Sequence, residues 1–358
     1  MRILARVVAT LGLVALVTAL LVWWTDRVDH SEGDAEVLAT GLEVPWGLTF
    51  LPTGEALVGE RSSGRIYRIP ADGGERTLVG TVPGVVPDGE GGLLGLAVDP
   101  LFIHDSFVYA YLTAEADNRI IRFRLTPDEP EVYDVEVVLD GIAKAGNHDG
   151  GALAFGPDGM LYAGVGDAGV PARAQDPASL NGKILRMDPL GDPPLEDPNP
   201  DPDSLVWSMG HRNVQGLAWD SRGRLWATEF GQDTFDEVNL IEPGGNYGWP
   251  EVEGVGDDDR FINPKVTWST DEASPSGLAI AGDTLYVAAL RGQRLWTIPL
   301  SGDELGRPEA ALEGQYGRLR NVQVAPDGSL WITTSNRDGR GDPDDGDDRI
   351  LRVEVGDL

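Results

Sequence analysis

Leu153-Ala-Phe-Gly-Pro-Asp-Gly159 runs directly into Met160-Leu-Tyr-Ala163. The stretch reads as a short strand, a tight turn and a second strand. Pro presets φ at the turn, Asp caps it, and Gly accepts the positive φ that closes it. Outward from this point the same unit recurs along the chain. It opens as Leu48-Thr-Phe-Leu-Pro-Thr-Gly54, Leu96-Ala-Val-Asp-Pro100, Leu217-Ala-Trp-Asp-Ser-Arg-Gly223, Leu278-Ala-Ile-Ala-Gly282 and Val322-Gln-Val-Ala-Pro-Asp-Gly328. Second strands follow, such as Arg224-Leu-Trp-Ala and Ser329-Leu-Trp-Ile, and third strands such as Arg65-Ile-Tyr-Arg, Lys183-Ile-Leu-Arg and Arg349-Ile-Leu-Arg-Val. The six starts lie 48, 57, 64, 61 and 44 residues apart. Four-stranded units at such a period, with insertions, are the mark of propeller blades. A two-sheet sandwich gives no reason for six similar units. The expected fold is therefore all-β, a six-bladed β-propeller over residues 31–358. The strand-like segment 35–39 is expected to close the ring by pairing in the last blade.

The composition narrows the function. Of 358 residues, 59 are acidic and 28 basic, a formal net charge of −31. So negative a surface argues against nucleic acid and anionic lipid as partners. Cysteine is absent, which removes disulfides, thiolate metal sites and thiol nucleophiles. Arg2 and Arg6 precede an apolar run of eighteen residues, 7–24, with no A-x-A pattern after it. Positive charge before such a run directs export, and the run is just long enough to span a bilayer. Residues 1–30 are expected to form a single apolar helix, a signal anchor in preference to a cleaved signal peptide. The rest of the chain would then be extracytoplasmic, touching the membrane through this segment only. The ten tryptophans read as blade packing, and the acidic run 341–348 as a solvated loop.

Polar residues at strand starts are the candidates for chemistry. His148 sits in Gly146-Asn-His-Asp-Gly-Gly151, just before the Leu153 strand. Read alone it fits either a hydrogen-bonded turn histidine or a general base at the channel mouth. Asp167, in Ala163-Gly-Val-Gly-Asp-Ala-Gly169, follows the next strand, and a hairpin would bring it beside His148 to orient the imidazole. Arg212, Asn213 and Gln215 lie in Met209-Gly-His-Arg-Asn-Val-Gln-Gly216 before the Leu217 strand. The oxygen-rich segment 228–239 reads as a turn that either holds Ca²⁺ or is a solvated loop. Arg291, Arg318 and Arg320 recur at equivalent places. Alternation puts Arg318 and Arg320 on one side of an extended segment, suited either to a multiply anionic ligand or to surface ion pairs.

Several segments, in consistent order over roughly residues 38–355, resemble the soluble, calcium- and pyrroloquinoline quinone (PQQ)-dependent sugar dehydrogenases, the aldose sugar dehydrogenases and soluble glucose dehydrogenases. They are Val44-Pro-Trp-Gly-Leu, Gly91-Gly-Leu-Leu-Gly-Leu-Ala, Asn147-His-Asp-Gly-Gly and Leu180-Asn-Gly-Lys-Ile-Leu-Arg. Gly210-His-Arg-Asn-Val-Gln-Gly-Leu, Asp236-Glu-Val-Asn-Leu-Ile, Gly244-Gly-Asn-Tyr-Gly-Trp-Pro and Gly317-Arg-Leu-Arg-Asn-Val complete the series. The resemblance implies His148 as base, Asp167 as its partner, and Arg212, Asn213 and Gln215 as quinone contacts. It implies that Arg318 and Arg320, with Arg291, hold the cofactor carboxylates. The carbonyls of Gly231 and Gln232 would bind a catalytic Ca²⁺, and Glu237 with Tyr247 resembles a second, structural calcium site. Glu90 stands where the glucose dehydrogenases carry glutamine, adding a carboxylate near the cofactor. Arg291 replaces a lysine, and Gln232 a proline.

The activity so implied is oxidation of an aldose at C1 to its lactone. His148 would remove the hydroxyl proton as hydride passes to the quinone, Arg212 would stabilise the developing oxyanion, and electrons would leave to an external acceptor such as a membrane quinone. A calcium-dependent propeller lactonase and a non-catalytic binding propeller are the alternatives. Neither needs an arginine cluster for a tricarboxylate.

Overall fold

The computed structural model describes residues 35–125 and 131–358. The expected apolar helix and signal anchor of residues 1–30 lie outside these residues. Six antiparallel sheets succeed one another along the chain. Numbered in chain order, their innermost strands are β2 (Pro45–Phe50), β6 (Leu93–Val98), β10 (Leu153–Phe155), β14 (Val214–Trp219), β18 (Pro275–Ala281) and β23 (Leu319–Val324). Each contains one of the six repeat starts. The N-terminal strand β1 (Glu36–Ala39) pairs antiparallel with β25 (Ile350–Val353), Glu36 opposite Arg352. The ring is thus closed by a sheet built from both ends of the propeller.

The turn chemistry acts as the sequence requires: Gly54, Gly159, Gly223 and Gly328 adopt φ of 92°, 76°, 75° and 90°. Between blades the controlling feature is close approach of inner strands. A Cβ at Gly47 would lie 2.5 Å from the Leu94 carbonyl oxygen, and one at Gly95 would lie 2.2 Å from that of Gly151. Backbone contact this tight excludes any side chain. The layers between blades are apolar and closely packed, with Trp226 and Trp331 buried among them.

Two segments differ from expectation. Residues 228–239 are mostly strand, not turn: β15 (Leu225–Glu229) and β16 (Phe235–Ile241) flank a short connection at 230–234. The alternating apolar positions Val238 and Leu240 outweigh the acidic side chains. Nor is the acidic run 341–348 solvated throughout. Asp348 is buried and accepts the amides of Val44, Asn336 and Arg337, and Asp347 is buried beside Arg349. Backbone N–H groups at the ring closure satisfy the Asp348 carboxylate, which is why it tolerates burial.

Candidate active site

Alternation along the inner strands breaks at one end of the channel. Register shifts fall between Pro45 and Gly47, Leu93 and Leu96, Val214 and Gly216, Pro275 and Leu278, and Leu319 and Asn321. A bulged residue is released from the ladder and re-aimed. Trp46, Gln215, Ser276 and Arg320 lie at these bulges, and they meet. Arg320 donates to Gln215 Oε1 at 3.0 Å and to Ser276 Oγ at 3.2 Å, and its guanidinium lies 5.6 Å from the Trp46 ring centroid.

A cavity opens above them, lined by Trp46, Arg61, Glu90, Asp149, Gln215, Phe230, Arg320, Asp338 and Arg340. Glu90 bridges its mouth, accepting from Arg340 at 2.8 Å and from the His148 amide at 3.0 Å. Burial works to raise the Glu90 pKa, but these two donors outweigh it and hold the carboxyl ionised below its usual value.

His148 occupies a left-handed turn (φ 59°), a conformation histidine visits more readily than most residues. Its Nδ1 lies 2.7 Å from Asp167 Oδ1, and its Nε2 lies 2.8 Å from an Arg212 guanidinium nitrogen. A guanidinium only donates. Nε2 is therefore the lone-pair nitrogen, and the ring proton sits on Nδ1, directed at the carboxylate. Asp167 is buried; burial alone would raise its pKa. Bonds from His148, from Trp249 Nε1 (2.8 Å) and from the Gly169 amide (2.8 Å) outweigh burial and keep it below the ordinary carboxylate range. The arrangement is a neutral imidazole aimed by a committed anion.

Arg212 is anchored through Gln232 Oε1 (2.7 Å) and the Phe230 carbonyl (3.0 Å), with Trp249 under its guanidinium. Asn213 Oδ1 accepts the Gly150 amide, fixing the turn that carries His148. Glu253 Oε1 gathers the amides of Gln232, Asp233, Thr234 and Phe235. No backbone N–H among the described residues donates to the carbonyls of Gly231 or Gln232. Beside this loop, one crevice brings Gly231, Glu237 and Tyr247 together with Glu229 and Glu253. Burial, reinforced by the neighbouring Glu229 carboxylate, pushes the Glu237 carboxyl well above the usual carboxylate range. His211, in the same motif as Arg212, is a fully buried strut between Ser208 and Glu229.

The arginines separate. Arg320 reaches the cavity, whereas Arg318 turns to Asp338 Oδ2 (2.9 and 3.1 Å) because the bulge between Leu319 and Asn321 breaks the assumed alternation. Arg291 stands apart: it pairs with Asp271, its side chain is 57% exposed, and it does not line the cavity. Sequence reading does not single out Trp249, Arg61, Asp338, Arg340 or Glu253. Trp249 lies inside the Gly244-Gly-Asn-Tyr-Gly-Trp-Pro motif; the others carry no local signal.

Comparison with known proteins fits this geometry. Residues 42–351 match the family model described as glucose/sorbosone dehydrogenase. The chain belongs to the glucose/sorbosone dehydrogenase family. Within this dehydrogenase family it is similar to the PQQ-bound aldose sugar dehydrogenase of Streptomyces coelicolor, at 53% identity. The match covers 90% of this chain and 98% of that one, with a TM-score of 0.86. A Thermus thermophilus protein described as a glucose dehydrogenase is 46% identical over 89% of this chain and 99% of that one, TM-score 0.83. The aldose sugar dehydrogenase YliI of Escherichia coli K12 is 28% identical over 86% of this chain and 91% of its own length. The glucose/sorbosone dehydrogenases are oxidoreductases, and so is this chain.

Proposed function

We propose that the chain is a PQQ- and Ca²⁺-dependent dehydrogenase that oxidises an aldose at C1 to its lactone and passes the electrons to an external acceptor. The observation that carries this reading is the neutral His148 imidazole, oriented by Asp167 and adjoining a cavity in which the half-buried Arg61 and the buried Arg320 are left without anions. The cavity fits the cofactor: PQQ is a planar tricarboxylate, and Arg61 and Arg320 each keep a buried Nε without a partner. When bound, PQQ supplies the hydride acceptor, and a Ca²⁺ held by the Gly231 and Gln232 carbonyls supplies Lewis acidity.

The protein's own residues do the rest. His148 Nε2 takes the proton of the C1 hydroxyl, which must displace the Arg212 hydrogen bond now made there. Asp167 stabilises the imidazolium that results. Arg212, released from His148 but still held by Gln232 and Phe230, keeps a positive charge beside the reacting carbon and favours the developing oxyanion. Asn213 and Gln215 fix the His148 turn and Arg320. Glu90 holds the same turn through the His148 amide. Glu237 and Tyr247 form the wall of a second, structural calcium site. The apolar segment 7–24 would place this chemistry outside the cytoplasmic membrane, next to membrane quinones that can accept electrons.

Thermal unfolding of the full chain with and without PQQ and Ca²⁺ tests the cofactor assignment. At a hundred times its dissociation constant, PQQ should stabilise the fold by about 2.7 kcal/mol. Stabilisation by Ca²⁺ alone, with no effect of PQQ, would favour a calcium lactonase; no effect of either would favour a binding propeller.

A further inference from the structure

Two cations in the cavity lack anions. Arg61, which follows β3 (Ala56–Glu60), and Arg320 both line it, and each has a buried Nε with no hydrogen-bond partner among the described residues. Arg61 makes no ion pair among these residues, and Arg320 makes only neutral contacts, with Gln215 and Ser276. Burial lowers the pKa of both guanidiniums, that of Arg320 to about 9, with the charge of Arg61 adding to the effect. The carboxylates of the wall are spent elsewhere. Asp338 gives Oδ2 to Arg318 and Oδ1 to the Arg340 amide. Glu90 is taken by Arg340 and the His148 amide. Asp149 leaves its own buried Oδ2 without a partner, so it satisfies neither arginine. Unpaired buried donors are costly, and like charges facing one cavity compound that cost. An anion with planar oxygens, received by forked N–H donors, relieves both.

We propose that Arg61 is an anion-binding residue of this site: together with Arg320 it receives a carboxylate of the bound cofactor, while Arg318 holds Asp338 in position. The assignment rests on the quinone reading above. It moves one carboxylate contact from Arg318, which the bulge turns away, to a residue from a different blade. Arg61 then acts by binding and placing the cofactor, and Arg318 acts through Asp338.

The test is titration of the full-length apoprotein with PQQ, followed by quenching of tryptophan fluorescence (Trp46 lines the cavity). Wild type, Arg61→Gln and Arg61→Lys are compared, with the melting temperature of each apoprotein. The expected result is a dissociation constant raised at least tenfold in R61Q, with R61K between the two, because lysine keeps the charge and loses the fork. The R61Q apoprotein should melt no lower than wild type, since it loses a half-buried cation whose buried Nε has no partner; a merely structural arginine would lower the melting point. R61Q affinity within twofold of wild type would overturn the proposal while leaving the quinone reading intact. Failure of wild type to bind PQQ would overturn both. If R61Q does not fold, R61K decides: wild-type affinity in that variant contradicts the forked contact.

Discussion

Replacing His148 by asparagine should lower kcat for aldose oxidation by about 10²- to 10⁴-fold, the range a positioned general base contributes. Asparagine is the right probe because the residue at this turn has φ of 59°, which asparagine tolerates. The backbone, and with it the bond from the His148 amide to Glu90, should survive. What is lost is the lone pair at Nε2, the imidazole atom that meets the Arg212 guanidinium. The asparagine side chain would offer an amide that cannot take a proton. PQQ affinity, read by fluorescence, should stay within a few-fold of wild type. Loss of cofactor binding in place of turnover would refute the assigned role.

Asp167→Asn should cost about 10²-fold or more in kcat, the type of loss seen when the carboxylate behind a catalytic histidine becomes an amide. The geometry gives the reason. Oδ1 accepts from both His148 Nδ1 and the Gly169 amide, and Oδ2 accepts from Trp249 Nε1. An amide has one oxygen for three donors. With its oxygen toward His148, its NH₂ opposes the Trp249 N–H; with its oxygen toward Trp249, its NH₂ forces the imidazole into the other tautomer and removes the base. Either way the negative charge behind the imidazolium is gone. Steady-state kinetics should show kcat falling far more than KM changes. Equal loss in kcat with H148N and no further loss in the double variant would show the pair acting as one unit. A D167N enzyme with wild-type kcat would separate Asp167 from catalysis.

The propeller was legible because its information is local and repeated. Pro-Asp-Gly turns, short apolar alternations and the closing strand at 35–39 each specify their own conformation, and six copies agree. Much of the candidate site was legible for the same reason: His148, Asp167, Arg212, Asn213 and Gln215, which the fold brings together, lie in glycine-flanked segments at strand ends. The arginines were harder. Arg318 and Arg320 look equivalent in Gly317-Arg-Leu-Arg-Asn-Val, and only the bulge at Arg320 sends one into the channel and the other to Asp338. Arg61, Glu90 and the neighbours Asp338 and Arg340 come together from three separate loops, and no spacing along the chain records that meeting. The mistaken turn at 228–239 shows the opposite error, in which a local excess of oxygen atoms masked an apolar alternation that the sheet uses.

The most direct test of the central claim is turnover by the full chain, freed of metal with a chelator and then assayed with an aldose and a redox dye. Dye reduction should require PQQ and Ca²⁺ together, should depend on the aldose concentration, and should yield the lactone. Reduction that proceeds equally well without PQQ, or none at all from a protein shown to have bound it, would contradict the account.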